Sequence, residues 1–159
     1  MEPRILVVGV GNEDRGDDAA GLLVARQLNK ALEGRVRVVE VRGELDELLN
    51  ILSNCERAII IDAARSGAAP GTIHTFDAAS KPIPVSWFHH STHAFGVAEA
   101  LELARVLNRI PTSVLLYGIE GSQFDFGRSL STEVQDAAEK VVAMVLTEVG
   151  SPAVQERTE

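Results

Sequence analysis

Short β-branched runs that alternate with longer amphipathic segments constrain the fold of this chain most strongly. Four of these runs have the length and composition of buried strands: RILVVGV (4–10), RVRVVEV (35–41), RAIIIDA (57–63) and TSVLLYGIE (112–120). Four segments carry apolar residues at helical spacing: 17–32, 44–54, 91–108 and 130–149. A fifth strand-like run, TIHTF (72–76), alternates and is typical of a sheet edge. The pattern predicts an α/β fold, a three-layer α/β/α sandwich around a mostly parallel, about five-stranded sheet with one antiparallel edge strand.

The helix starts can be predicted from capping residues. Ser91 or Thr92 is expected to cap the helix of segment 91–108, and Ser131 or Thr132 the helix of segment 130–149.

Length and composition predict one domain. The chain has 159 residues, of which 45% are apolar, and no linker or repeat divides it. We expect residues 1–150 to form the domain and residues 151–159 to be a polar, flexible tail. The single cysteine, Cys55, suits a reducing compartment and is expected to be buried as a small hydrophobe. The N-terminal apolar stretch is too short for a signal peptide, and no run approaches membrane-spanning length, so the prediction is a cytoplasmic protein without a membrane partner.

Charge excludes two classes of ligand. The 15 Lys and Arg residues against 23 Asp and Glu residues give a net charge of -8, which argues against nucleic acid as a partner. The first strand runs into GVGNEDRGDDAAG (9–21), where Gly9 and Gly11 match a dinucleotide fingerprint but Asp14 replaces its third glycine. Four carboxylates in this loop would repel a pyrophosphate, so the loop does not predict a nucleotide site.

Side chains at the predicted strand ends favour a metal site instead. Asp62 ends the apolar run AIIID, where a carboxylate is costly unless it is paired or bound to a cation; a turn acid before Arg65 and Gly67 is the alternative. A second cluster, FHHSTHAFG, places His89, His90 and His93 within five residues at a predicted helix start. Carboxylate and imidazole ligands together suit nickel or zinc. His74 receives no role.

Four motifs in register resemble the hydrogenase maturation proteases of the HybD/HycI type. They are GNEDRGDDAAG, IIIDA, STHAFG and LLYGIE, and the resemblance extends from Ile5 to about Val149. It implies an endopeptidase that removes the C-terminal extension of a nickel–iron (NiFe) hydrogenase large-subunit precursor after nickel insertion. The resemblance also implies that Asp18, Asp62 and His93 contact the metal, that the nickel comes with the precursor, and that no organic cofactor is needed. Asp17 matches a position that is commonly acidic.

The sequence contains no serine or cysteine in the setting of a protease nucleophile. A water activated by the metal or by a carboxylate is therefore expected, in the manner of an aspartyl endopeptidase, and the candidate catalytic residues are Asp17, Asp18 and Asp62. The candidate substrate contacts are His89, His90 and Gly43; Gly43 belongs to RGELDELL, where relatives often have a Gly-Thr turn.

Three alternatives stay open at this point. The first is a nickel-binding carrier, and the second is a divergent or inactive homologue that acts on another metalloprotein precursor. The third is a hydrolase with its own zinc.

Overall fold

Five strands form the central sheet of the computed structural model, which describes residues 5–42, 45–88 and 96–150. The strands are β1 (Ile5–Val10), β2 (Arg37–Val41), β3 (Arg57–Ala64), β4 (Ile73–Asp77) and β5 (Ser113–Glu120). Their order is β2-β1-β3-β5-β4. All neighbouring pairs are parallel except β4 and β5, which pair antiparallel at the edge. The predicted sheet and its antiparallel edge strand are confirmed.

Four α-helices cover the two faces of this sheet: α1 (Ala20–Leu32), α2 (Leu45–Leu52), α3 (Val97–Val106) and α4 (Thr132–Val149). The aliphatic side chains of α1 and α4 pack on one face, and those of α2 and α3 pack on the other. The predicted three-layer sandwich is therefore confirmed. No helix within the described ranges is long and apolar enough to cross a membrane.

Two predicted helix starts differ from the structure. The segment predicted to be helical from residue 17 begins with a 3-10 turn at Gly16–Ala19, and α1 itself starts at Ala20. The predicted cap at Ser91 or Thr92 is wrong, because Gly96 is the N-cap of α3 and the Glu99 carboxylate accepts the N–H of Gly96 at 3.2 Å. The prediction for the last helix is confirmed, with Ser131 at the N-cap of α4.

The strand order places the topological switch point between β1 and β3. The chain leaves β1 through α1 toward β2 on one side, whereas β3 lies on the other side of β1. At such a point the connections from adjacent parallel strands diverge and leave a crevice beyond the carboxyl ends of the strands. This carboxyl edge of the sheet is where a functional site is expected.

Candidate functional site

Four carboxylates are the charged side chains buried in the described part of the chain. Their exposed fractions are 0% for Asp17, 5% for Asp18, 3% for Asp62 and 1% for Glu120. All four lie at the carboxyl edge of the sheet: two follow β1, one lies near the end of β3, and one ends β5. Because an unpartnered buried carboxylate is costly, their concentration at one edge calls for a structural or a functional reason.

Asp18 and Asp62 lie at the switch point. The 3-10 turn that carries Asp18 packs against β3, the strand that carries Asp62. The Asp18 carbonyl oxygen accepts the N–H of Asn12 at 3.1 Å and thereby closes the first loop. The Asp62 Oδ1 atom accepts the N–H of Ala63 at 2.8 Å, which orients the carboxylate at the end of the strand. The fold thus brings two of the three predicted metal contacts to one edge.

The third predicted contact, His93, lies outside the described residues, as do His89, His90, Gly43 and the predicted tail 151–159. Within residues 5–42, 45–88 and 96–150, no three His, Cys, Asp or Glu side chains are grouped closely enough to hold a metal ion. Asp18 and Asp62 offer carboxylate oxygens, which are acceptable donors for nickel, zinc and harder cations alike. The ligand set Asp18, Asp62 and His93 and the catalytic roles of the three aspartates stay predictions.

Asp17 is occupied by bonds within the protein. Its Oδ2 atom accepts the backbone N–H groups of Ser122 and Gln123 at 2.8 and 2.9 Å. Its Oδ1 atom accepts the N–H of Ser131 at 2.8 Å and the hydroxyl of the same serine at 3.0 Å. This carboxylate therefore connects the first loop to the loop after β5 and to the start of α4.

The two remaining acids of the first loop, Glu13 and Asp14, are exposed. Glu13 pairs with Arg26 at 2.8 Å, and this bond holds the pKa of Glu13 below its usual value. The N–H of Asp14 donates to the side-chain oxygen of Asn12 at 2.9 Å. The loop that sequence reasoning treated as one acidic unit thus divides into two surface acids and two buried ones.

The glycines of the first loop allow close backbone packing. A Cβ atom at Gly9 would lie 2.2 Å from the carbonyl oxygen of Gly21, and one at Gly11 would lie 2.1 Å from that of Asp18. Because neither position has room for a side chain, α1 and its preceding turn lie directly on the strand ends. The predicted tight turn is present, and it holds Asp18 against the sheet.

Glu120 is a buried group to which sequence reasoning gave no role. Its carboxylate accepts the Ser66 hydroxyl at 2.6 Å and the Ser66 N–H at 2.9 Å, and it contacts Nε2 of His74 at 3.0 Å. Burial alone would raise the pKa of Glu120, but the hydrogen bonds from Ser66, His74 and Gly67 outweigh burial and lower it. The signal was available, because Glu120 ends an apolar strand as Asp62 does.

The Ser66, His74 and Glu120 side chains do not have the geometry of a catalytic triad. In a triad the two imidazole nitrogens serve the nucleophile and the carboxylate separately. Here Nε2 of His74 lies 3.4 Å from the Ser66 hydroxyl and 3.0 Å from the Glu120 carboxylate, and the hydroxyl donates to the carboxylate directly. The His74 ring also lies 4.9 Å from the Trp87 ring. We interpret this cluster as the anchor of the loop that follows β3.

Cys55 is remote from this chemistry. The residue is half-buried at the start of β3, its thiol contacts the Leu52 carbonyl oxygen at 3.6 Å, and burial raises the pKa of the thiol to about 11. A thiol in this state is a poor nucleophile at neutral pH, in agreement with the predicted packing role.

Comparison with known proteins identifies the family. The sequence model of the hydrogenase maturation protease family (HycI) matches residues 22–148. The hydrogenase expression/formation protein HupD of Thiocapsa roseopersicina is 26% identical over 148 residues, which cover 91% of this chain and 67% of HupD. The hydrogenase-maturating endopeptidase HybD from E. coli superimposes with a TM-score of 0.73 at 27% identity, over 92% of this chain and 91% of HybD. For the maturation protease HybD from Thermococcus kodakarensis, the TM-score is 0.71 at 29% identity, over 91% and 98% of the two chains. The chain belongs to the hydrogenase maturation protease family.

Proposed function

We propose that this protein is the endopeptidase that removes the C-terminal extension of a nickel–iron hydrogenase large-subunit precursor, and that it recognises the nickel already inserted in that precursor. Family membership supports the protease activity. The observation that carries the recognition step is the burial of Asp18 and Asp62 at the switch point, where carboxylates would meet a cation that arrives with the substrate.

The contacts of the three aspartates favour different roles. Both oxygens of Asp17 accept bonds from the loop after β5 and the start of α4, so this carboxylate acts best as a positioning group. Asp18 and Asp62 remain as the pair that contacts the substrate's nickel, together with His93. Asp62, oriented by the N–H of Ala63, is then the carboxylate that accepts a proton from the attacking water. The peptide bond breaks as water adds to its carbonyl carbon and the amine leaves with a proton.

The test uses purified nickel-loaded and nickel-free precursor, with the products identified by mass spectrometry. The wild-type protein should cleave only the nickel-loaded form. Asp62→Asn, Asp18→Asn and His93→Ala should each reduce the rate at least about a hundredfold while circular dichroism shows a folded protein. The matched control, Asp46→Asn on the exposed face of α2, should cleave normally. Full processing by the Asp62 and His93 variants would contradict the site.

Two measurements separate this proposal from the carrier and from the zinc hydrolase. Tight binding of free Ni(II) in calorimetry, together with no cleavage, would favour a nickel carrier. Stoichiometric zinc in the purified active protein would favour a hydrolase with a resident metal. Under our proposal, the purified protein cleaves the loaded precursor without added metal.

A further inference from the structure

Arg65 is an exposed cation at the carboxyl edge, three residues after Asp62. Its N–H donates to the carbonyl oxygen of Trp87 at 2.8 Å, which fixes the backbone from which the side chain starts. The guanidinium carbon lies 4.3 Å from the centroid of the Phe124 ring. A backbone bond and a cation–π contact therefore hold the side chain in place within the protein itself.

Phe124 places this guanidinium beside the acidic first loop. The Phe124 ring and the Cβ atom of Asp17 lie 2.7 and 2.8 Å from the position that a Cβ atom of Gly121 would take. The N–H of Gly121 donates to the Ala64 carbonyl oxygen at 3.0 Å. The ends of β3 and β5 and the first loop thus meet at this point, and Arg65 lies on its exposed side.

The positive charge of Arg65 has no ion-pair partner among the described residues, whereas four other arginines have one: Arg26, Arg42, Arg57 and Arg105. A guanidinium that stacks on a ring keeps a planar fork of N–H donors, and this fork matches a carboxylate in a bidentate manner. The Cα atoms of Asp62 and Arg65 are at most ~10 Å apart along the chain. A polypeptide at Asp62 can therefore reach Arg65 within about three residues.

We propose that Arg65 binds a carboxylate group of the polypeptide substrate, an inference that rests on the proposed function. The edge then recognises two opposite charges: the buried aspartates contact the cation of the precursor, and Arg65 contacts an anionic group close to the scissile bond. Such complementary placement fixes the register of a bound chain as well as its affinity. The carboxylate is either an acidic side chain of the extension or the C-terminal carboxylate of the extension.

The test compares kcat and KM of the wild-type protein, Arg65→Ala and Arg65→Lys on nickel-loaded precursor. Arg65→Ala should raise KM roughly tenfold, with kcat within about twofold, and Arg65→Lys should be intermediate because lysine keeps the charge but loses the fork. Arg109→Ala is the matched control, because Arg109 is also exposed but precedes β5 at the opposite edge. Its KM should equal that of the wild-type protein, and all variants should unfold at the same temperature.

Two altered precursors identify the carboxylate. One has the acidic side chains of its extension replaced by amides, and the other is semisynthetic and ends in a carboxamide. The precursor that lacks the recognised carboxylate should raise KM for the wild-type protein but not further for Arg65→Ala. An unchanged KM for Arg65→Ala, or equal effects of both precursors on the two proteins, would overturn the inference and leave the proposed function intact. Absence of cleavage by the wild-type protein would instead contradict the proposed function, and this inference with it.

Discussion

The carboxylate of Asp17 accepts the N–H and the hydroxyl of Ser131, at 2.8 and 3.0 Å, although the two residues are 114 positions apart. Ser131 is the N-cap of α4, yet its hydroxyl makes no capping bond to its own helix and instead donates to Asp17. The same carboxylate accepts the N–H groups of Ser122 and Gln123. One buried side chain of the first loop therefore sets the position of the loop after β5 and of the last helix.

Asp17→Asn should lower the free energy of unfolding by about 2–4 kcal/mol, because an amide nitrogen would then face buried N–H donors that lose their acceptor. Urea denaturation measures this difference. Asp136→Asn, an exposed position in α4, is the control and should change stability by less than about 0.5 kcal/mol. Equal midpoints for the two variants, together with lost cleavage in Asp17→Asn alone, would show that Asp17 is catalytic and not a positioning group.

Glu120→Gln should destabilise the protein at neutral pH and have less effect in acid. The pKa of Glu120 is lower in the folded protein than its ordinary value of 4.5. Its contribution to stability is therefore fully present above the unfolded-state pKa and is lost as the pH falls through the lower folded-state pKa. A glutamine side chain does not titrate, so the variant lacks this loss. The difference between wild type and variant should be about 1–3 kcal/mol at pH 7.

Urea denaturation of both proteins between about pH 7 and about pH 3 measures this dependence. The stability difference should shrink as the pH falls below about 4.5. Glu139→Gln, which is exposed on α4, serves as the control and should follow the wild-type profile. A difference between Glu120→Gln and wild type that stays constant over the whole range would contradict the assignment of the lowered pKa to Glu120.

Local patterns were sufficient to predict the layers of the fold and the edge at which the acids gather. Strands buried on both faces are continuous β-branched runs, and helices on a sheet carry apolar residues at helical spacing. A carboxylate at the end of such a run, as at Asp62, is detectable because packing alone does not explain it. The same argument applied to β5 would have predicted that Glu120 is buried and partnered.

The remaining features depend on contacts between distant parts of the chain. The partners of Asp17 lie more than a hundred positions away, and the bond between Glu120 and His74 joins residues 46 apart. The start of α3 was wrong because Ser91 and Thr92 are good caps by residue type, whereas the structure uses the reciprocal bond between Glu99 and Gly96. Residue preferences rank candidate caps but do not choose between neighbouring ones.

Gly21→Ala should disrupt the seat of α1. Alanine normally stabilises a helix relative to glycine by about 1 kcal/mol. At this position, however, a Cβ atom would lie 2.3 Å from the Val10 carbonyl oxygen and 2.4 Å from that of Ile61. Both oxygens belong to strands in the centre of the sheet, so the helix has to move. We expect a net loss of at least about 2 kcal/mol in the free energy of unfolding.

The matched control is Gly150→Ala at the C-cap of α4, where the nearest heavy atom to the added Cβ would be 3.4 Å away and φ is -87°. This variant should unfold within about 0.5 kcal/mol of wild type in urea. Because Asp18 lies only three residues before Gly21, a displaced α1 also moves this carboxylate relative to Asp62. Gly21→Ala should therefore cleave the nickel-loaded precursor more slowly even at temperatures where circular dichroism shows it folded. Wild-type stability and wild-type cleavage in Gly21→Ala would show that α1 does not need close backbone contact to place Asp18.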